Sequence, residues 1–287
     1  MTLQTAAPAL SITPGLAILV ALLGACVGSF LNVVIHRVPR RESILYPPSH
    51  CPRCGTSLRW QHNLPLISWL LLRGCCADCQ RPIAIRYPLI ELLSAGLWIA
   101  MLFARPGAMA TPPTWMLLSA GWLLVSWLLP LALIDCDHLW LPEPLCRWGL
   151  VLGLAVTALL GLSQSAATAR ELLADHLLAA TAGLLAFEGL SALAERLIGR
   201  PALGLGDAKL AALLGAWLGW QGLWVAVMLA VLTGALLGGA ARLGGLLGPR
   251  EPFPFGPFLA FGGIATWVAG ESWWLSQLQI LSGGASL

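Results

Sequence analysis

The chain has 287 residues, 58% of them hydrophobic and only 10% charged, with a formal net charge of +3. A soluble globular domain carries roughly 25% charged residues, so that class is excluded. The small net charge singles out no partner, and nucleic acid is not an expected one.

Apolar runs close to the roughly 20 residues that cross a bilayer recur along nearly the whole length. Eight spans are predicted, at about 15–37, 88–106, 115–135, 146–162, 172–197, 207–220, 221–242 and 256–275. The expected fold is therefore all-α: a polytopic membrane helical bundle of about eight transmembrane helices, forming a single integral-membrane domain over 1–287. The first run has no basic segment before it and continues too far for a signal-peptide core, so it reads as a permanent span.

Residues 39–83 break the apolar pattern, being rich in Pro, Arg and Cys. They hold Cys51-Pro-Arg-Cys54 and Cys76-Ala-Asp-Cys79, separated by 21 residues. Two CxxC pairs at this spacing match a four-thiolate zinc site, structural because four sulfurs leave no open position. Two disulfides are the alternative, disfavoured in a reducing compartment. Cys75 gives no CxxC spacing, and His50 and His62 are not needed as ligands. Cys26, Cys136 and Cys146 read as small buried hydrophobes.

Eight arginines, Arg37, Arg40, Arg41, Arg53, Arg59, Arg73, Arg81 and Arg86, fall between the first two spans. Alternating sides from there puts Arg147, Arg196, Arg200, Lys209, Arg242 and Arg250 on the same face, and only Arg105 and Arg170 opposite. By the positive-inside rule that face is cytoplasmic, and 39–83 is a cytoplasmic zinc-binding insert. The outer turns are Pro106–Pro113 and Ser163–Arg170, while four prolines keep the inner loop 248–257 from forming helix.

Two apolar segments end or begin with carboxylates on that cytoplasmic face: Leu131-Ala-Leu-Ile-Asp135-Cys-Asp137 and Gly204-Leu-Gly206-Asp207-Ala-Lys209. A carboxylate at membrane depth costs about 2.5–3.5 kcal/mol on insertion scales, which marks both as functional candidates. Two of them together can share a proton and activate water, as aspartic proteases do. Asp135 and Asp137 lie about 200° apart on a helix, so only one faces a given partner, and Asp135 is the deeper. A helix-end carboxylate meeting headgroup water is the bland reading of Asp135. Asp207 follows a glycine-rich turn at a helix N-terminus, where the dipole favours negative charge. Lys209, the one lysine, either tunes the pair or snorkels to the interface. Glu188 lies well inside the fifth span, as a proton relay or a partner of another buried polar group.

Taken together, Gly28-Ser-Phe-Leu-Asn32-Val-Val-Ile-His36-Arg37-Val-Pro39, the two CxxC pairs, Asn63-Leu-Pro65-Leu-Ile-Ser68 and Arg86-Tyr87-Pro88-Leu-Ile-Glu91 resemble bacterial type IV prepilin peptidases. Leu133-Ile-Asp135-Cys-Asp137-His, the Gly204–Lys209 segment and Pro254-Phe-Gly256-Pro257 complete the resemblance over residues 24 to 262. It implies an inner-membrane aspartic endopeptidase of the GxGD type. Such an enzyme cuts the leader from prepilins or type II secretion pseudopilins on the cytoplasmic side, after a glycine. Asp135 and Asp207 would be its catalytic pair, with the substrate and the lipid bilayer as partners. Relatives with the four-cysteine loop also methylate the new N-terminal amine from S-adenosylmethionine. Gly74, Arg86 and Glu91 are the candidate methyl-donor contacts. The chain departs from the family at Glu143, where an aspartate is usual after the proline. A transporter or proton channel is the alternative, but it would spread carboxylates through the membrane depth. A zinc-loop scaffold leaves the aspartates unexplained, and a presenilin-like protease would lack the CxxC pairs.

Overall fold

Long runs of Leu, Ala, Val and Gly with capped ends dictate helices, and helices are what the chain forms. The structure is a computed structural model describing residues 12–104, 112–199, 204–248 and 252–281. Arg105, Arg200, Arg250, positions 106–111 of the predicted outer turn and 249–251 of the inner loop lie outside them. The helices are α1 (Pro14–Arg37), α2 (Ile67–Leu71), α3 (Arg86–Ala104), α4 (Pro112–His138), α5 (Glu143–Leu162), α6 (Ala166–Ile198), α7 (Leu205–Leu243), α8 (Gly256–Ala269) and α9 (Glu271–Leu281). Six of them, α1 and α3 to α7, are long and apolar enough to cross a membrane. The chain forms two compact units, Met1–Pro130 and Leu131–Leu287, whose boundary falls inside α4 beside Pro130.

In the first unit α1 lies against α3. A Cβ on Gly24 would come within 2.9 Å of the Ala95 Cα, and one on Gly28 within 2.7 Å of the Glu91 Cα. This small-xxx-small spacing is what lets membrane helices touch backbone to backbone. Ser94 donates to the Gly24 carbonyl (2.7 Å) across the contact. Trp98 stacks on Trp122 of α4 at 5.0 Å and donates to Ser126 (3.0 Å). Arg37, buried at the end of α1, donates to the Ser43 carbonyl (2.9 Å) and starts the loop.

In the second unit α7 is the central element. This 39-residue element is not one straight rod, because Gly219 has φ 69 and ψ −172. The predicted spans 207–220 and 221–242 are thus the two limbs of one element, joined at that glycine. The break frees backbone groups that the bilayer cannot satisfy, so side chains must. Trp220 N donates to Asp175 Oδ2 (2.9 Å), and the Ala216 carbonyl accepts from His176 Nδ1 (3.0 Å) and the Thr157 hydroxyl (3.3 Å). The predicted last span, 256–275, is also interrupted: α8 ends at Ala269, and Gly270 at φ 82 turns the chain into α9. Cys146 is buried as expected, whereas Cys26 and Cys136 lie exposed on their helices. Glu188 is exposed on α6 and belongs to no polar cluster described below.

Candidate active site

α4 continues three residues beyond Asp135, to His138, before Leu139 turns at φ 52. Asp135 therefore sits on the last helical turn, 5% exposed, and Asp137 lies within the helix rather than opening the loop. The next segment, 139–142, leads directly into α5. Leu141 is buried there, and a Cβ added to Gly206 would meet it at 3.0 Å. The glycine-rich turn thus lies against the segment that follows Asp135, and a side chain at 206 would have to displace Leu141 by a few tenths of an ångström.

Asp207 is the third residue of α7 and caps its own helix: Gly204 N donates to Asp207 Oδ2 at 3.1 Å. It is 9% exposed. Two residues on, Lys209 forms an ion pair with Glu143 of α5, both about half-exposed. The sequence left Lys209 open between tuning and snorkelling; its partner is the one carboxylate at which the chain departs from the family pattern.

Asp135 receives its own donor from far along the chain. Gly256 N, the first amide of α8, donates to Asp135 Oδ2 at 2.9 Å in a buried contact. A Cβ at 256 would lie 2.7 Å from that oxygen, so only glycine permits the approach. The preceding segment is placed by its aromatics. Phe253 lies over Gly238 and Phe255 over Gly234 of α7, and Phe253 packs on Phe258 at 5.1 Å. Asp207 and Asp135 are within electrostatic reach of each other, and Cys146 is within reach of both, of Glu143 and of Lys209. Each carboxylate thus accepts from the positive end of a helix, Asp207 from α7 and Asp135 from α8.

The backbone partners of the pair, Gly204 N and Gly256 N, were not assigned from sequence. One signal was there: Gly256-Pro257 has the glycine and proline of a helix start, where unpaired amides point outward.

The four-cysteine loop belongs to the first unit. The sulfurs of Cys51, Cys54, Cys76 and Cys79 all lie within 4.8 Å of one another, and Cys51 and Cys79 are 3.8 Å apart. A tetrahedral Zn–S length of about 2.3 Å implies sulfur separations of about 3.8 Å, so this donor set fits a metal ion. All four are free thiols, which excludes the disulfide alternative for them. The two knuckles have the same build. Gly55 N bonds the Cys51 carbonyl (2.9 Å) and Gln80 N the Cys76 carbonyl (3.0 Å), with Gly55 at φ 72 and Gln80 at φ 56. His50 turns instead to the Pro48 carbonyl (3.0 Å).

The three methyl-donor candidates frame the base of this loop. Glu91 of α3 accepts from Leu66 N (2.8 Å), and Trp69 donates to the Ile83 carbonyl (3.3 Å) while covering Gly74. Arg86 opens α3 and is exposed.

Residues 22–105 match the bacterial peptidase A24 N-terminal domain, and residues 122–239 match the type IV leader peptidase family. The chain is 43% identical over 238 residues to a prepilin leader peptidase/N-methyltransferase of Myxococcus xanthus, spanning 83% of this chain and 67% of the relative. Proteins of the same name from Aeromonas hydrophila (38% over 290 residues, 90% and 93%) and Pseudomonas aeruginosa (38% over 274 residues, 86% and 87%) are also similar. No solved structure matches.

Proposed function

This chain belongs to the type IV leader peptidase family, and we propose from that premise that it is a membrane aspartic endopeptidase and N-methyltransferase acting on prepilins or pseudopilins. The observation that carries the peptidase reading is the meeting of Asp135 and Asp207 at two helix N-termini. Oδ2 of each carboxylate accepts from a backbone N–H, which restrains its orientation and leaves Oδ1 as the oxygen for proton transfer. One carboxyl is protonated and gives its proton to the scissile carbonyl oxygen. The other takes a proton from water, whose oxygen attacks the carbonyl carbon. Collapse of the tetrahedral species breaks the C–N bond as the amine is protonated. Like charges this close titrate as a pair, so the acid and base roles belong to the dyad. Family membership and the single facing pair leave no need for the transporter alternative.

The cut follows a glycine on the cytoplasmic side of the bacterial inner membrane, a placement supported by fourteen basic residues against two. Zn²⁺ is the metal that suits four thiolates in this geometry, with a structural role. S-adenosylmethionine, when bound, would supply the methyl group; Gly74, Arg86 and Glu91 are its proposed contacts, of which Arg86 is exposed while Gly74 lies under Trp69 and Glu91 is buried on Leu66 N. The test is mass spectrometry of a prepilin incubated with the purified protein in lipid, with and without S-adenosylmethionine. A product cut after the leader glycine and heavier by one methyl group is expected. A cut product without methyl would remove the transferase activity, and no cut across several prepilins would remove the peptidase.

A further inference from the structure

The loop between α1 and α3 exposes more apolar surface than a loop in water should. On α2, Ile67, Leu70 and Leu71 are 48%, 67% and 77% exposed, and their i, i+3, i+4 spacing puts them on one helical face. The opposite face is anchored, since Trp69 bonds the Ile83 carbonyl and covers Gly74. Trp60, in the preceding 3₁₀ turn (Trp60–Asn63), is 78% exposed.

The depth of this face is set by Glu91. Its carboxylate accepts from Leu66 N, the residue just before α2, at 2.8 Å. Glu91 stands five residues into α3, about 7 Å along a span whose neighbouring Leu89, Leu92 and Leu93 are exposed as lipid-facing residues are. The headgroup zone of a bilayer is only about 5–7 Å thick on each side. A helix tethered at that level lies beside the first turns of the span, continuous with its lipid-facing surface. The charges agree: residues 38–85 carry six arginines against Glu42 and Asp78, and Arg59 and Arg73, both exposed, flank Trp60 and the end of α2.

We propose that α2 and Trp60 form a lipid-docking face, immersed at the headgroup–acyl boundary, with Arg59 and Arg73 on anionic headgroups. The four-cysteine turns are then pinned to the membrane surface rather than held out in water. This rests on α1 and α3 crossing the bilayer and is independent of the catalytic assignment.

The test places a benzophenone amino acid at Leu71 of the full chain in phosphatidylcholine–phosphatidylglycerol nanodiscs, with the same probe at Leu92 and at Arg53 for comparison. After irradiation, adducts are identified by mass spectrometry. The lipid-adduct yield at Leu71 should approach that at Leu92 and exceed that at Arg53 about tenfold. A Leu71 yield at the Arg53 level, or adducts to a second copy or another polypeptide, overturns the proposal. Failure at Leu92 as well would overturn the membrane placement of α3 itself. A probe at Leu70 keeps the result decisive if the Leu71 variant misfolds. Replacing phosphatidylglycerol by phosphatidylcholine should lower the Leu71 yield about fivefold, and no change would remove the two arginines from the contact.

Discussion

Asp135 and Asp207 were legible as single letters because a carboxylate beside an apolar run has a cost that must be justified. Asp135→Asn or Asp207→Asn should reduce cleavage by about 10⁴-fold or more, in line with loss of one member of a catalytic unit. Expression and melting temperature should stay close to those of the parent, and full cleavage by either variant would refute the assignment. Gly256 tests the geometry rather than the chemistry. A methyl group placed 2.7 Å from Asp135 Oδ2 forces the carboxylate or α8 to move. Gly256→Ala should lower kcat by about 10²-fold, the usual consequence of an ångström of misplacement at a reacting group. Lys209 and Glu143 are half-exposed, so their ion pair should contribute only about 0.2–1 kcal/mol. Lys209→Met should barely shift the melting temperature. The amides of Gly204 and Gly256 were not assigned from sequence because a backbone N–H carries no letter of its own; only the helix start at Gly256-Pro257 hints at one of them.

Among the elements, the loop was read most fully. Two CxxC pairs announce the donor set by spacing alone, since each knuckle is a local turn. The purified protein should contain one zinc per chain by elemental analysis, and Cys76→Ser should abolish it. Without the metal, trypsin should cut faster at Arg53, which lies within the first knuckle between Cys51 and Cys54. Sequence spacing did not reveal that Gln80 would occupy the left-handed conformation that Gly55 takes in the first knuckle. That strain is tolerated because the knuckle fixes the residues on either side. The end of α4 was also placed short. The predicted span ended at Asp135, but Cys136, Asp137 and His138 stay helical, with Leu139 N still bonded to the Asp135 carbonyl at 2.9 Å. Polar letters at a helix end mark the level of the interface, not the stop of the helix.

For the molecule as a whole, hydropathy revealed the membrane class and the helical fold, but periodicity alone could not separate a loop from a kink. The boundary near position 220 is a bend inside α7, held by Asp175, His176 and Thr157 from two other helices. Gly219→Ala should destabilise the protein by about 2–4 kcal/mol, because the backbone there is nearly closed to other residues and a Cβ would meet Asp175 Oδ2 at 2.4 Å. Gly189→Ala on α6, where a Cβ meets nothing, serves as the control and should be neutral or slightly stabilising. Denaturant midpoints of the two variants in the same detergent check both.

The bond from Gly256 to Asp135 also has a meaning in time. The two residues are 121 positions apart. At about 5–20 residues per second, Asp135 leaves the ribosome on the order of ten seconds before its amide exists. During that interval the growing chain holds an aspartate in lipid with no donor, and later both aspartates with only one capped. Until α8 is made, Asp135 lacks the donor it has in the folded chain, and chains that stop short of α8 never acquire that contact.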